Sequence, residues 1–176
     1  MAGHSWAGMK KQILALIVSG AIAACSGYDN GQTTDPTNSI VAGQVTIALP
    51  KTVYTIAELS PSGSGVRATL GNTSDQTFYS MLGDAFNGAI DQNPLFVANG
   101  SDASLQRQQG SDWVAVSGLN LVEGVKVVSI QPGKSYDLIA QSNAVTAGQY
   151  RIVVAYRNSA TAEATQRTVS STFEVR

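Results

Sequence analysis

Cysteine, histidine and charge are all scarce in this sequence: there is one Cys and one His, and 13% of the 176 residues are Asp, Glu, Lys or Arg. Ordinary domains carry roughly 25% charged residues. A fraction near half of that excludes a charge-laced helical bundle and a disordered polyelectrolyte tail. Eleven basic residues against twelve acidic ones leave a formal net charge of -1. No basic footprint for nucleic acid follows from that balance. A lone cysteine also closes no internal disulfide. What is abundant is glycine, with 17 residues, alongside many Ser, Thr, Asn and Gln. That mixture belongs to a β-rich, exported domain.

Long apolar runs are missing too. Lys10 and Lys11 precede Ile13-Leu14-Ala15-Leu16-Ile17-Val18, and apolar character continues to Ala24 with Ser19 and Gly20 as interruptions. The stretch is about a dozen residues, too short for a hydrocarbon core that needs about 20. A positive n-region before a short h-region reads as a signal peptide. Its end, Ile22-Ala23-Ala24-Cys25, resembles the bacterial lipobox: an aliphatic residue, two small residues, then cysteine. The resemblance implies cleavage between Ala24 and Cys25, a diacylglyceryl group on the Cys25 thiol and acylation, as by palmitate, of the freed amine. It also implies a lipid-anchored place in the cell envelope. Ser26 is not the usual inner-membrane retention signal, so the outer membrane is favoured in a Gram-negative cell. Two or more acyl chains anchor stably, at roughly 0.8 kcal/mol per buried methylene. The alternative, a free or buried Cys25 after an ordinary secretory cut, leaves an unpaired thiol in an exported protein. Met9-Lys10-Lys11 resembles the start of many such signal peptides, which makes Met9 a candidate true start.

Processing decides the chemistry. Removing residues 1–24 takes away His4, Lys10 and Lys11, leaving 9 basic and 12 acidic residues and a net charge of 9 - 12 = -3. Without histidine there is no Ser-His-Asp or Cys-His arrangement and no histidine zinc site. Acylation of Cys25 removes the thiol nucleophile. Lys51, Lys126 and Lys134 are the surviving lysines, and none follows a Ser at Ser-x-x-Lys spacing. No glycine-rich phosphate loop is present. The expectation is a non-catalytic chain without cofactor or metal. A carboxylate-pair glycan hydrolase would need two acids roughly 5 to 9.5 Å apart, and no spacing indicates such a pair.

Residues 25–44 read as a lipidated flexible linker rich in Ser, Gly, Asp, Asn and Pro, with an edge strand at Ile40-Val41 as the alternative. From Val45 the apolar pattern has period two. Segments 45–49, 66–70, 77–81, 105–108, 113–116, 125–130, 136–140, 150–156 and 169–175 predict strands. Gln109-Gly110-Ser111-Asp112 predicts a hairpin, Gly71-Asn72 a turn, and Gln131-Pro132-Gly133-Lys134 a type II turn. In the last pair, Tyr150, Ile152, Val154 and Tyr156 face inward with Arg151 and Arg157 outward, answered by Val169, Ser171, Phe173 and Val175. Trp113 is expected in the core. The whole predicts an all-β antiparallel sandwich of seven to nine strands over 45–176.

Gly148-Gln149-Tyr150 resembles the Gly-x-Tyr start of the penultimate strand in immunoglobulin-like domains, where the hydroxyl bonds back to the preceding corner. With Arg107–Trp113 and Ile130-Gln131-Pro132-Gly133, it makes residues 66–176 similar to bacterial immunoglobulin-like domains, including the intracellular proteinase inhibitor type. The inter-sheet disulfide of antibody domains is absent.

Residues 82–103 break the strand rhythm. Leu82, Phe86 and Ile90 fall at i, i+4, i+8, the spacing of a short helix, which Asn93-Pro94 ends before Leu95-Phe96-Val97. The segment is either a crossover capping the sandwich or a recognition loop with Phe86, Ile90, Leu95 and Phe96 as its binding residues. Asp84, Asn87, Asp91 and Asn93 offer oxygens but not the spacing of a calcium loop. Asn72-Thr73-Ser74 and Asn99-Gly100-Ser101 are glycosylation sequons by pattern alone. Two functions are therefore expected. The first is protein–protein contact at the envelope by a membrane-anchored domain. The alternative, implied by the resemblance, is an inhibitor or accessory module for an exported protease or other enzyme.

Overall fold

The computed structural model describes residues 44–85, 95–98, 102–116 and 122–176. The elements in chain order are β1 (Val45–Ala48), β2 (Val53–Tyr54), α1 (Ile56–Leu59), β3 (Val66–Asn72), β4 (Phe78–Ala85), β5 (Leu95–Val97), β6 (Ala103–Gln109), β7 (Asp112–Ala115), β8 (Val122–Ile130), β9 (Ser135–Ala140), β10 (Gly148–Tyr156), β11 (Gln166–Val169) and β12 (Phe173–Val175). One six-stranded sheet runs β1-β3-β9-β5-β4-β8. The other runs β2-β12-β10-β6-β7, with β11 also on β10. Pairing is antiparallel except between β5 and β9 and between β2 and β12. Among the described residues no helix is long and apolar enough to cross a membrane.

The period-two pattern puts alternate side chains into one core drawn from both sheets. Val66, Ala68 and Leu70 of β3, Phe78 and Leu82 of β4, Leu138 and Ala140 of β9 meet Leu105 of β6, Tyr150, Ile152, Val154 and Tyr156 of β10, and Phe173 and Val175 of β12. Phe78 meets Tyr156 edge-on across the sheets at 5.1 Å, and Tyr150 stacks on Phe173 at 6.0 Å. This is an all-β, sandwich-like fold. The β6–β7 hairpin closes through Gly110-Ser111, with Gly110 at φ +61 as the turn demands. At the end of β8, Lys134 N–H donates to the Gln131 carbonyl at 3.1 Å, and Gly133 takes φ +67 as a type II turn requires.

Twelve strands are present among the described residues, three more than the apolar periods indicate. β2 and β5 are too short, at two and three residues, to show a period. The third comes from a break in the expected strand 169–175. Ile152 N–H donates to the Ser170 hydroxyl at 2.9 Å, and Ser170 N–H donates to the Ile152 carbonyl. This side-chain bond replaces a ladder bond and shifts the alternation. Thr168 and Ser170 are buried before the break, Phe173 and Val175 after it. Val169 is therefore not part of the inward set; it lies opposite Val153 on the other face of β10. Arg157 corrects the pattern as well, for it is 7% exposed rather than outward. Nor does the chain turn at Gly71-Asn72. β3 runs through Asn72, whose Oδ1 accepts from Ser74 N–H at 3.0 Å and starts the turn one residue later.

Candidate functional site

Cys25, Ala24, Phe86 and Ile90 lie outside the described residues, as do Asn87, Asp91, Asn93 and the sequon at Asn99. Leu95 and Phe96 open β5, which sits between β9 and β4. Leu95 is in register with Asp137, and Phe96 with Leu138 on one side and Asp84 on the other. Leu82, offered as the first residue of a helix, belongs instead to β4, opposite Lys126 and fully buried. The backbone on both sides of residues 86–94 is thus strand. Among the described residues no three His, Cys, Asp or Glu gather as metal ligands.

Asn72 is not a glycan acceptor in this fold. It is 2% exposed, and its Nδ2 donates to the carbonyls of Gln76 at 2.7 Å and Ile130 at 2.8 Å. Its Oδ1 accepts from Ser74. One amide side chain thereby ties the ends of β3 and β8 to the turn that enters β4. Tyr150 does what the Gly-x-Tyr pattern leads one to expect: its hydroxyl donates to the Thr146 carbonyl at 2.7 Å and accepts from Thr146 N–H at 3.2 Å.

Trp113 is half-buried on edge strand β7 rather than in the core, because its period-two partner across the hairpin is the exposed Gln108. The Arg151 guanidinium lies over its ring at 4.5 Å, and Arg151 Nε donates to Gln106 Oε1 at 2.8 Å. A cation on an indole contributes about 0.5–1 kcal/mol at an exposed site. On the other sheet, a hollow of about 240 Å³ is lined by Ala48, Leu49, Pro50, Ala68 and Thr69, with Arg67 and Asp137 as its charged members.

The sandwich corner carries a part-buried ion pair that the sequence reading did not find. Asp102 and Arg157 meet side chain to side chain, with side-chain exposures of 11% and 8%. The Asp102 carboxylate also accepts from Met81 N–H at 2.6 Å, and Arg157 Nη1 donates to the Ala162 carbonyl at 2.8 Å. Backbone bonds between Tyr79 and Arg157 at 2.8 and 2.9 Å join the end of β10 to β4 of the opposite sheet. The signal that could have found the pair is weak: an Arg that ends an apolar strand, 55 residues from an Asp in a Ser-Asp-Ala stretch.

Strand β8 presents the most exposed apolar group. Among the described residues it is the last strand of its sheet, with no strand beside its outer edge. Val125 and Val127 are 47% and 46% exposed, while Val128 and Ile130 are buried on the opposite face. In register, Met81 stands beside Val127 and Gly83 beside Val125. Solvent-facing strands of antiparallel sheets normally alternate apolar with polar, and runs apolar on both faces belong to strands covered on both. Among the described residues, β8 thus buries Val128 and Ile130 on one face and leaves Val125 and Val127 exposed on the other, at the end of its sheet. Comparison with known proteins finds no matching family model, curated protein or solved structure.

Proposed function

We propose that the chain is a non-catalytic lipoprotein of the cell envelope, held to a membrane through Cys25, whose immunoglobulin-like domain makes a protein–protein contact through β8. The carrying observation is the exposed Val125–Val127 face beside an open strand edge. An open edge is a template for another strand, and natural sheets ordinarily blunt it with charge, proline or a bulge. Here Glu123 and Lys126 are the charges on the strand, and Lys126 is flanked by two exposed valines. The immunoglobulin-like reading draws support from the Tyr150–Thr146 closure and from the parallel pairing of β2 on the last strand, β12. The order β12-β10-β6-β7 fits the same reading.

Two measurements test it. The full chain should co-purify from envelope extracts with a stoichiometric partner, and Val125→Lys/Val127→Lys should lose that partner while keeping its far-UV circular dichroism. A complex that survives the double substitution rules out β8 as the contact. For the anchor, radiolabelled palmitate should enter the wild type and not Cys25→Ala; equal labelling of both removes the lipoprotein reading.

A second reading, an inhibitor or accessory module for an exported enzyme, is favoured by the loop between β10 and β11. Residues 158–163 are exposed, and the Ala162 carbonyl among them is held from beneath by Arg157. Inhibition of a secreted protease by the purified chain would separate this reading from the first.

A further inference from the structure

The hollow on the first sheet lies well away from β8 in the strand order. Its lining comes from β1, β3 and β9, whereas β8 ends the sheet beyond β5 and β4. Ala48, Thr69 and Asp137 stand opposite one another along one row of the ladder, and Arg67 is the next outward residue of β3 from Thr69. Leu49 and Pro50, which follow the end of β1, complete the apolar part of the lining. Small-molecule sites are concave, mostly apolar and carry a few placed polar groups. This one has that composition at a small scale: about 240 Å³ suits a ligand of amino-acid size rather than a nucleotide or a large cofactor.

The charges carry the inference. Arg67 is in register with Ile139, so Asp137 is its diagonal neighbour on β9. Diagonal pairs in an antiparallel ladder stand about 7–8 Å apart, within reach of long side chains. An Arg and an Asp so placed can close on each other. Among the described residues, however, neither makes a hydrogen bond or an ion pair, and both line the hollow. We propose that the hollow binds a small aliphatic zwitterion, the chemistry shared by a free amino acid and a dipeptide. The ligand carboxylate takes the planar fork of Arg67, whose parallel N–H groups match its two oxygens. The ligand ammonium lies against the Asp137 carboxylate, and the aliphatic part covers Leu49 and Pro50. A simple anion is repelled by Asp137 and a simple cation by Arg67, so the two charges also select. Because Arg67 is exposed and Asp137 half-buried, the pairs formed are screened and the binding is weak, in the millimolar range. The site stands whether or not β8 takes a partner.

Nuclear magnetic resonance titration of the isotope-labelled full chain tests this. Leucine and alanylalanine are the probes. One or both should move the amides of Thr69 and Asp137 saturably in the millimolar range, and the tighter of the two identifies the source as a free amino acid or a peptide. The N-acetyl form of that probe lacks the ammonium and its amide form lacks the carboxylate; each should bind about tenfold more weakly. Arg67→Gln and Asp137→Asn should each weaken the unblocked probe by a similar factor, while the amides of Ile152 and Val154 in the other sheet keep their positions. No saturable shift with either probe overturns the proposal. Blocked forms that bind as well as the free probe overturn it too, since the hollow would then read only the aliphatic part, as does unchanged binding to both variants. Should a variant lose the spectrum of the folded chain, the blocked probes on wild type still decide.

Discussion

At the scale of single residues, buried polar groups sort by whether their bonds are made. Asn72 donates twice and accepts from Ser74 within a site it fills. Truncation would strand two carbonyls and a backbone N–H, so Asn72→Ala should cost about 2–3 kcal/mol, read from the urea midpoint. Two tyrosines of β10 make a controlled comparison. The Tyr150 hydroxyl has its Thr146 partners, whereas the buried Tyr156 hydroxyl meets no hydrogen-bond partner among the described residues. Tyr150→Phe should therefore lose about 1 kcal/mol, and Tyr156→Phe should be neutral or stabilising. Burial also pushes the Tyr156 hydroxyl above its ordinary value of 10.0. Because the fold prefers the neutral phenol, this contribution is complete below pH 10 and is lost as pH rises through the raised value. Wild type should thus weaken in strong alkali more than Tyr156→Phe does, as urea titrations at pH 9 and pH 11 would show.

At the scale of elements, β10 was legible because Tyr150, Ile152, Val154 and Tyr156 keep a strict period and all four are buried. The β6–β7 hairpin was legible for a different reason, since Gly110 marks a turn that needs positive φ. What escaped was decided by tertiary partners. β5 exists because β4 and β9 leave room for it, and its three residues carry no period. The shift between β11 and β12 hangs on one hydroxyl, Ser170, among several similar serines. Arg157 read as an outward residue because its counter-charge lies 55 positions away. Of the contact residues offered for the 82–103 segment, Leu95 and Phe96 stand in β5, while Phe86 and Ile90 lie outside the described residues. Glycines allow a graded test of element geometry. Gly110 at φ +61 has nothing near a prospective Cβ, so Gly110→Ala carries only the backbone penalty of about 1–2 kcal/mol. Gly65, at φ +71, would in addition drive a Cβ to 2.5 Å from the Ile139 side chain. Gly65→Ala should lower thermal stability clearly more than Gly110→Ala, and a reversed order would mean that β3 and β9 can move apart at that end.

At the scale of the sandwich, the question is whether the two sheets unfold together. The rings say that they should. Phe78 belongs to the sheet of β8 and Tyr156 to the sheet of β7, yet they touch edge to face, and Tyr79 and Arg157 exchange backbone bonds next to that contact. Core truncations of a large aromatic cost about 3–5 kcal/mol when the site cannot collapse. Phe78→Ala removes atoms from one sheet only, but the cavity opens against both. Trp113, in a Trp6→Phe background, reports on the β6–β7 side alone, whereas far-UV circular dichroism reports on both sheets. If the sandwich is one cooperative unit, the two probes should give one urea transition in wild type and shift by the same amount in Phe78→Ala, with the slope unchanged. A Trp113 transition that stays in place while the dichroism midpoint falls would show two sheets folding separately. In that case the polar bonds at the corner, Tyr79 with Arg157 and Asp102 with Arg157, would hold the two sheets together without cooperative support from the shared aromatic core.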